Sequence, residues 1–351
     1  MRRPNWRLAS VVTLVAVLAG CQPGGGGDDT APIDDSEPTD TAPGEQIELD
    51  ADLWPLTGLP RGSGDATLPS LAAKIDNASQ ARPQVGLDEA DIVFEELVEG
   101  GLTRYVAVWH SSVPAEIGPV RSVRPMDPDI VSPFGGILAY SGGQQRFVEA
   151  MLDAPVASAI NGQSDVEDFF YRTSDKVAPH NVLVLGPELV SYFSDRQGPP
   201  PQFNYATGVE DASATLTGSE ASALRVNFSG VSAPTWTWSP DDEAFLRSQT
   251  NGAPDTALSG TQLSAHNVVV IEVDIDVIQD IPTTQMVSSG EGLVATGGKV
   301  VGVSWNKPSA VSPIELTDSS GARVLLAPGQ TWVELIPADG SDVPAGSVEV
   351  Q

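Results

Sequence analysis

Two arginines in one short segment carry the clearest candidate chemistry of this chain. Arg121 and Arg124 lie in EIGPVRSVRP, residues 116–125, in a sequence with 18 Lys and Arg against 47 Asp and Glu. Guanidinium groups bind carboxylates and phosphates through paired hydrogen bonds, so the pair predicts either an anion site or internal ion pairs. The proline after Arg124 disfavours a helix there. In a straight strand the two side chains would lie on opposite faces, so they converge only if residues 119–123 form a turn.

Three carboxylates and one histidine can supply acid–base chemistry beside these arginines. Asp76 ends the predicted strand LAAKID, where it can act as a general base or cap the next turn. Glu95 and Glu99 share one face of either a strand or a helix, so they can serve as paired catalytic carboxylates or neutralise the arginines. We favour neutralisation. His180 lies in VAPHNV; histidine is the residue type suited to acid–base work near neutral pH, so this residue can act as an acid or base or have a structural role.

Other polar residues in the same region can contact a ligand. Ser141 lies in YSGGQQ, a glycine-rich turn before a predicted helix, where backbone N–H groups can hold an anion or the glycines can simply permit the turn. Asn181 follows His180 at the start of a predicted strand. The predicted ligand-binding residues are Arg82, Arg104, Arg121, Arg124, Ser141 and Asn181.

Composition and motifs argue against several classes of protein. A net charge of −29 repels nucleic acid, so we expect no nucleic-acid partner. The sequence predicts no metal site, because no cysteine lies near any of the three scattered histidines, His110, His180 and His266. It contains no P-loop, dinucleotide-binding or nucleophile-elbow motif, and we expect no cofactor.

The N-terminus predicts a lipid anchor. Arginines precede the run LASVVTLVAVLAG, which is short for a membrane span and ends on LAGC, the lipobox pattern of bacterial lipoproteins. We predict a signal peptide over residues 1–20 and a lipid anchor (diacylglycerol and palmitate) on Cys21, the only cysteine. Residues 21–52 are polar and acidic, which predicts a disordered tether. The anchor would hold the body at the outer face of the cytoplasmic membrane.

The remaining chain predicts an α+β protein in two parts. The first mixes strand patterns, such as LAAKID, DIVFEELV and TRYVAVWH, with helical spacing in QQRFVEAMLD and GPELVSYFSD. The second contains β-branched and aromatic runs, including PTWTWS, NVVVIEVDI, GKVVGVSWN, ARVLLA and TWVELIP. We predict an N-terminal mixed α/β sheet domain over residues 53–200, a linker over 201–222 and a mostly β C-terminal domain over 223–340.

An ordered series of motifs resembles one known family. WPLTGLP, IDNASQARPQVGLDEADIVFEELVEGGLTRYVAVWHS, IGPVRSVRP, SGG and PHNV resemble the N-terminal domain of the YerB-type lipoproteins, the DUF3048 family. SAHNVVVIEVDIDVI, SSGEGL, GGKVVGVSWNK and PGQTWVELIP resemble its C-terminal domain, with Ser288 where a glycine is expected. The resemblance implies a lipid-anchored bacterial envelope protein with an α+β domain followed by a β domain. It implies no reaction.

Two functional hypotheses follow. The favoured one is a non-catalytic envelope lipoprotein that binds an anionic wall polymer fragment, or a wall-synthesis protein, through an arginine-lined cleft. The alternative is a hydrolase or transferase acting on a cell-wall polymer, with Asp76 or a glutamate and His180 as acid and base. Asp76, His180 and Arg121 within reach of one another in a cleft would favour the enzyme. Arginines fully paired inside the domain would favour a structural role.

Overall fold

Residues 50–351 are described by a computed structural model of the chain. The predicted signal peptide, Cys21 and nearly all of the predicted tether lie outside the described residues. The first strands are β1 (Leu71–Asp76), β2 (Ile92–Leu97), β3 (Thr103–Trp109), β4 (Glu116–Ile117), β5 (Ile137–Tyr140), β6 (Ala157–Ile160), β7 (Phe170–Arg172), β8 (Val182–Leu185) and β9 (Asn204–Tyr205). The α-helices are α1 (Asp127–Val131), α2 (Gln145–Asp153), α3 (Gly186–Tyr192) and α4 (Ser213–Thr217).

The rest of the described chain is built from strands. They are β10 (Ser219–Glu220), β11 (Ala223–Asn227), β12 (Thr235–Ser239), β13 (Ala244–Ser248), β14 (Ser264–Ala265), β15 (Asn267–Val273), β16 (Ile275–Ile278), β17 (Ile281–Thr284), β18 (Ser289–Thr296), β19 (Lys299–Asn306), β20 (Glu315–Thr317), β21 (Leu325–Leu326), β22 (Thr331–Pro337) and β23 (Ser347–Val350). Helices that pack near the first strands, followed by a mostly β region, confirm the predicted α+β class.

The largest sheet joins both parts of the chain. Its eleven strands run β10-β19-β18-β15-β22-β2-β3-β1-β5-β6, with β20 beside β19. Strand β22 is parallel to both of its neighbours, β15 and β2, and the β1-β5-β6 edge is also parallel. Because β22 pairs directly with β2, strands from either side of the predicted linker share backbone hydrogen bonds. The two segments therefore complete one sheet.

A second sheet, β14-β13-β12-β11-β23, packs on one face of the first. Trp236 of β12 meets Trp332 of β22 edge to face, with ring centroids 5.1 Å apart, and both rings are buried. Strand β23 pairs with β11, although its residues lie beyond the predicted C-terminal boundary at 340. The chain end is thus part of the folded body.

The predicted linker, 201–222, is folded onto both parts of the body. Strand β9 pairs with β21, and β10 extends the large sheet by pairing with β19. Phe203 is buried in the core. The domain boundaries remain predictions. Among residues 50–351, no helix combines the length and the apolar character that a membrane crossing requires.

Register across β1, β3 and β2 decides which charged side chains share a face. Asp76 lies opposite Arg104, and Arg104 lies opposite Glu96, so these three side chains project from the same face. Lys74 precedes Asp76 by two residues and shares that face. Glu95 projects from the opposite face, toward the second sheet.

Candidate functional site

The segment 118–125 is extended and lies between three parts of the fold. Asp76 donates its N–H to Pro119 O at 2.9 Å, and Arg121 donates its N–H to Lys74 O at 2.7 Å, which fixes the segment beside the end of β1. Ser141 donates its N–H to Arg121 O at 3.0 Å on the other side. The turn expected over residues 119–123 is absent. Arg121 and Arg124 are instead linked through Arg104 of β3, whose Nη1 donates to the carbonyl oxygen of Ser122 between them.

Arg121 and His180 share one carboxylate. His180 Nδ1 lies 2.6 Å from Asp76 Oδ2, and Arg121 Nε lies 3.0 Å from the same oxygen. The Arg121 contact is an ion pair whose geometry does not satisfy a hydrogen bond. Asp76 Oδ1 accepts the N–H of Ala78 at 3.1 Å, so Asp76 also forms the predicted turn contact. Among the described residues, no partner contacts His180 Nε2, which leaves that nitrogen available to a ligand.

Arg124 pairs with Glu99, as the neutralisation hypothesis expects. Its Nε and Nη2 each lie 2.9 Å from Glu99 Oε2. Its Nη1 points to the Val123 carbonyl at 3.0 Å. Both arginines thus form internal ion pairs, one of the two roles expected from the sequence, whereas their predicted ligand-binding role stays a prediction.

Arg104 differs from its neighbours because it has no carboxylate partner within the described chain. It is 8% exposed, and its one hydrogen bond joins Nη1 to Ser122 O at 2.8 Å. Burial, together with the positive charges of Arg124 and Arg121, lowers the pKa of Arg104 to about 10. A buried guanidinium in this position costs free energy until an anion neutralises it.

A second layer of charge lies beneath the arginines. Lys74 is fully buried and contacts both Glu96 and Asp127. Its Nζ lies 2.6 Å from Asp127 Oδ1. Asp127 Oδ2 accepts the backbone N–H of Arg124 at 2.6 Å. Burial lowers the pKa of Lys74 to about 8. Through Asp127, this layer fixes the backbone of the segment 118–125.

Glu95 does not belong to this site. The strand ends at Leu97, and Gly100 and Gly101, with φ of 73° and 74°, reverse the chain. The expected common face of Glu95 and Glu99 is therefore wrong. Glu95 is buried on the other face, where it accepts hydrogen bonds from Thr103 Oγ1 at 2.5 Å and Arg247 Nη2 at 2.6 Å.

Arg247 is a charged core residue that the sequence analysis missed. It is 2% exposed and contacts Glu95 and Asp255. Three aromatic rings surround its guanidinium, those of Tyr105, Trp236 and Trp332, at 5.2–5.8 Å. Burial raises the pKa of the nearby Glu334 well above its ordinary value. This cluster joins the two sheets, and nothing in it faces solvent.

Three other predicted ligand-binding residues occupy different positions. Arg82 donates to Asn77 Oδ1 and to Gln249 Oε1, both at 2.9 Å, so its contacts tie the two chain segments together. Asn181 accepts a hydrogen bond from Arg172 Nη1 at 2.8 Å and donates to Thr173 O, which fixes the loop before His180. Ser141 adjoins Arg121 through its backbone, and no described residue contacts its hydroxyl.

Two cavities of the described body lie away from the arginine cluster. The smaller, about 10 Å³, is lined by Phe94, Asp129 and Lys307 among others. The larger, about 480 Å³, is lined by Phe134, Asp195, Arg196 and their neighbours. Among the described residues, no group of three or more His, Cys, Asp and Glu side chains is arranged to hold a metal ion.

Comparison with known proteins agrees with this architecture. The model of the "Protein of unknown function (DUF3048) N-terminal domain" matches residues 56–199, and the model of the corresponding C-terminal domain matches residues 224–333. A Bacillus subtilis (strain 168) protein named "Putative lipoprotein YerB" is 26% identical over 304 residues, covering 84% of this chain and 88% of that protein.

A crystal structure of the Bacillus subtilis YerB protein has the same fold. It superposes with a TM-score of 0.71 at 24% identity and covers 85% of this chain and 99% of that one. The two matching domain models and the full-length similarity agree on one assignment, and the chain belongs to the DUF3048 family of YerB-type proteins.

Proposed function

We propose that this chain is a lipid-anchored protein of the outer face of the cytoplasmic membrane, and that it binds an anionic component of the cell wall at Arg104, Arg121 and Arg124. The anchor is Cys21 in the lipobox, and the name of the Bacillus relative supports a lipoprotein. The acidic segment 21–52 then carries the body away from the membrane, toward wall polymers or a wall-synthesis protein.

The observation that carries the binding role is the state of Arg104. Arg121 and Arg124 each face a carboxylate with part of the guanidinium, so their charge is already balanced. Arg104 is nearly as buried as a core residue yet faces only a carbonyl oxygen. Removing a charge from water without a counter-ion costs several kcal/mol, and a bound anion would recover much of that cost. A guanidinium fork suits both phosphate and carboxylate.

The test is binding of solubilised cell-wall fragments to the chain beginning at residue 22, which lacks the lipid-bearing cysteine. We expect saturable binding by wild type and a loss of about tenfold or more in affinity for Arg104→Ala, equal to about 1.4 kcal/mol or more. Arg225→Ala removes the same charge from β11, outside the site, and is the matched control. Unchanged binding by Arg104→Ala, or no binding by wild type, would contradict the proposal.

The contact between Asp76 and His180 supports a second candidate, hydrolysis of the bound polymer. With Nδ1 held 2.6 Å from Asp76, His180 presents Nε2 as a general base that can take a proton from an attacking water. The arginines would stabilise the negative charge that develops on the substrate. The test is product release from the same fragments: His180→Ala should abolish turnover and retain binding. Absence of turnover by wild type would exclude this candidate.

A further inference from the structure

Hydrogen-bond donors around Arg104 outnumber the acceptors of a carboxylate. A guanidinium has five N–H donors. Arg104 uses Nη1 toward Ser122 O, and Arg121 faces Asp76 with Nε alone. No other described residue accepts from the remaining nitrogens of either group. These nitrogens stay accessible to solvent, whereas Arg121 Nε is enclosed.

The number of acceptors distinguishes the two kinds of anion. A carboxylate offers two oxygens with about four lone-pair positions. The free donors of Arg104 and Arg121 alone exceed that number, and the Ser141 hydroxyl adds to them. A terminal phosphate offers three charged oxygens in a tetrahedral arrangement, so it satisfies more of these donors at once.

The distribution of charge places the positive excess in the outer layer. There Arg104, Arg121 and Arg124 face Asp76 and Glu99, which leaves one positive charge uncompensated in that layer. Beneath them Lys74 faces two carboxylates, those of Glu96 and Asp127, so the four cations and four carboxylates of the two layers balance overall.

We propose that the anion bound at this site is the phosphate monoester dianion of an envelope sugar or lipid. This inference rests on the proposed function and specifies its ligand. The sugar and the lipid share the same terminal phosphate, so separate probes distinguish them.

Two matched pairs of probes test the ligand class on the chain that begins at residue 22. Glucose 6-phosphate is compared with glucuronate, which has a carboxylate on the same sugar. Vesicles with phosphatidic acid, a monoester, are compared with phosphatidylglycerol vesicles, a diester, at equal surface charge in phosphatidylcholine. We expect one of the two monoesters to bind at least about tenfold more tightly than its partner probe. If that monoester is glucose 6-phosphate the ligand is a sugar phosphate, and if it is phosphatidic acid the ligand is a lipid.

Site variants complete this test. Arg104→Lys keeps the charge but lacks the fork, and it should lose about tenfold in affinity for the monoester, whereas Arg225→Ala should retain it. Equal binding within both pairs of probes would overturn the phosphate assignment and leave the anion site standing. Failure of both monoesters while wall fragments still bind would also overturn it. Failure of every probe and of the wall fragments would reject the proposed function itself.

Discussion

At the residue scale, the arginine cluster combines structural and unsatisfied charges. Arg121 and Arg124 hold carboxylates that the sequence places in neighbouring motifs. Arg104 projects between them from β3 without such a partner. The shared face of Asp76, Arg104 and Glu96 follows from strand register, so the same pairing that builds the sheet also assembles the site.

His110 gives a residue-scale prediction about acid stability. Burial lowers its pKa to about 4, so the unfolded chain takes up a proton near pH 6.5 before the folded protein does. The folded state is therefore fully favoured above pH 6.5 and loses about 3 kcal/mol as pH falls toward 4. His110→Gln, which cannot titrate, should show a smaller loss in urea unfolding measured at each pH.

A second buried group must be separated from this effect. Burial raises the pKa of Asp91 to about 6, so its contribution to stability falls as pH rises from 3.8 to 6, the opposite direction. Asp91 is present in both proteins, and the difference between them isolates His110. Parallel pH profiles for wild type and His110→Gln would contradict the prediction.

At the element scale, the layer beneath the arginines ties α1 to β1 and β2. Lys74→Met should destabilise the protein by about 3–5 kcal/mol, because Glu96 and Asp127 would lose the cation between them. Equilibrium urea unfolding measures this loss. The control is Lys299→Met, whose ion pair with Glu220 is exposed and 3.9 Å long, and we expect it to cost less than about 1 kcal/mol. A similarly small loss for Lys74→Met would contradict the account.

Local patterns predicted most elements, but not the long-range contacts. LAAKID and TWVELIP became β1 and β22 with the predicted bounds, because apolar runs bounded by turns encode strands directly. ARVLLA forms only the two-residue strand β21, and AFLRS, unnoticed in sequence, became β13. Arg247 was missed in that segment since its burial depends on Glu95 and Asp255, which lie elsewhere in the chain.

The candidate site was predicted only in part, because some of its contacts also join distant segments of the chain. Charge balance predicted that the arginines would pair with acidic residues of neighbouring motifs, but the individual pairs, Asp76 with Arg121 and Glu99 with Arg124, come from the structure. The common face of Glu95 and Glu99 was wrongly expected from spacing, because the strand ends at Leu97 and Glu99 begins the turn that Gly100 and Gly101 complete. The contact of Arg82 with Gln249 required the second half of the chain.

At the scale of the whole molecule, the parallel pairing of β2 with β22 predicts cooperative unfolding. Far-UV circular dichroism and tryptophan fluorescence should report one coincident urea transition for residues 50–351. Separate fragments 50–210 and 211–351 should each fail to unfold cooperatively, since each would expose a strand that the other covers. Two transitions, or a cooperatively folded fragment, would contradict this expectation.

Anchoring is also a property of the whole molecule. Cys21→Ala removes the thiol that would carry the lipid, so the precursor should remain uncleaved by the lipoprotein signal peptidase or appear in the medium. Membrane fractionation with labelled palmitate measures both outcomes. An unchanged, labelled membrane protein would show that Cys21 is not the site of attachment.

The central claim is that the arginine cluster serves a ligand rather than the fold, and one paired measurement on Arg121→Ala tests it most directly. Affinity for solubilised wall fragments and melting temperature are measured on the same preparation beside Arg225→Ala. Arg121 is 21% exposed, so we expect a fall of about 3 °C or less in melting temperature and a loss of about tenfold or more in affinity. A large fall in melting temperature with unchanged affinity would show that Arg121 supports the structure and binds nothing.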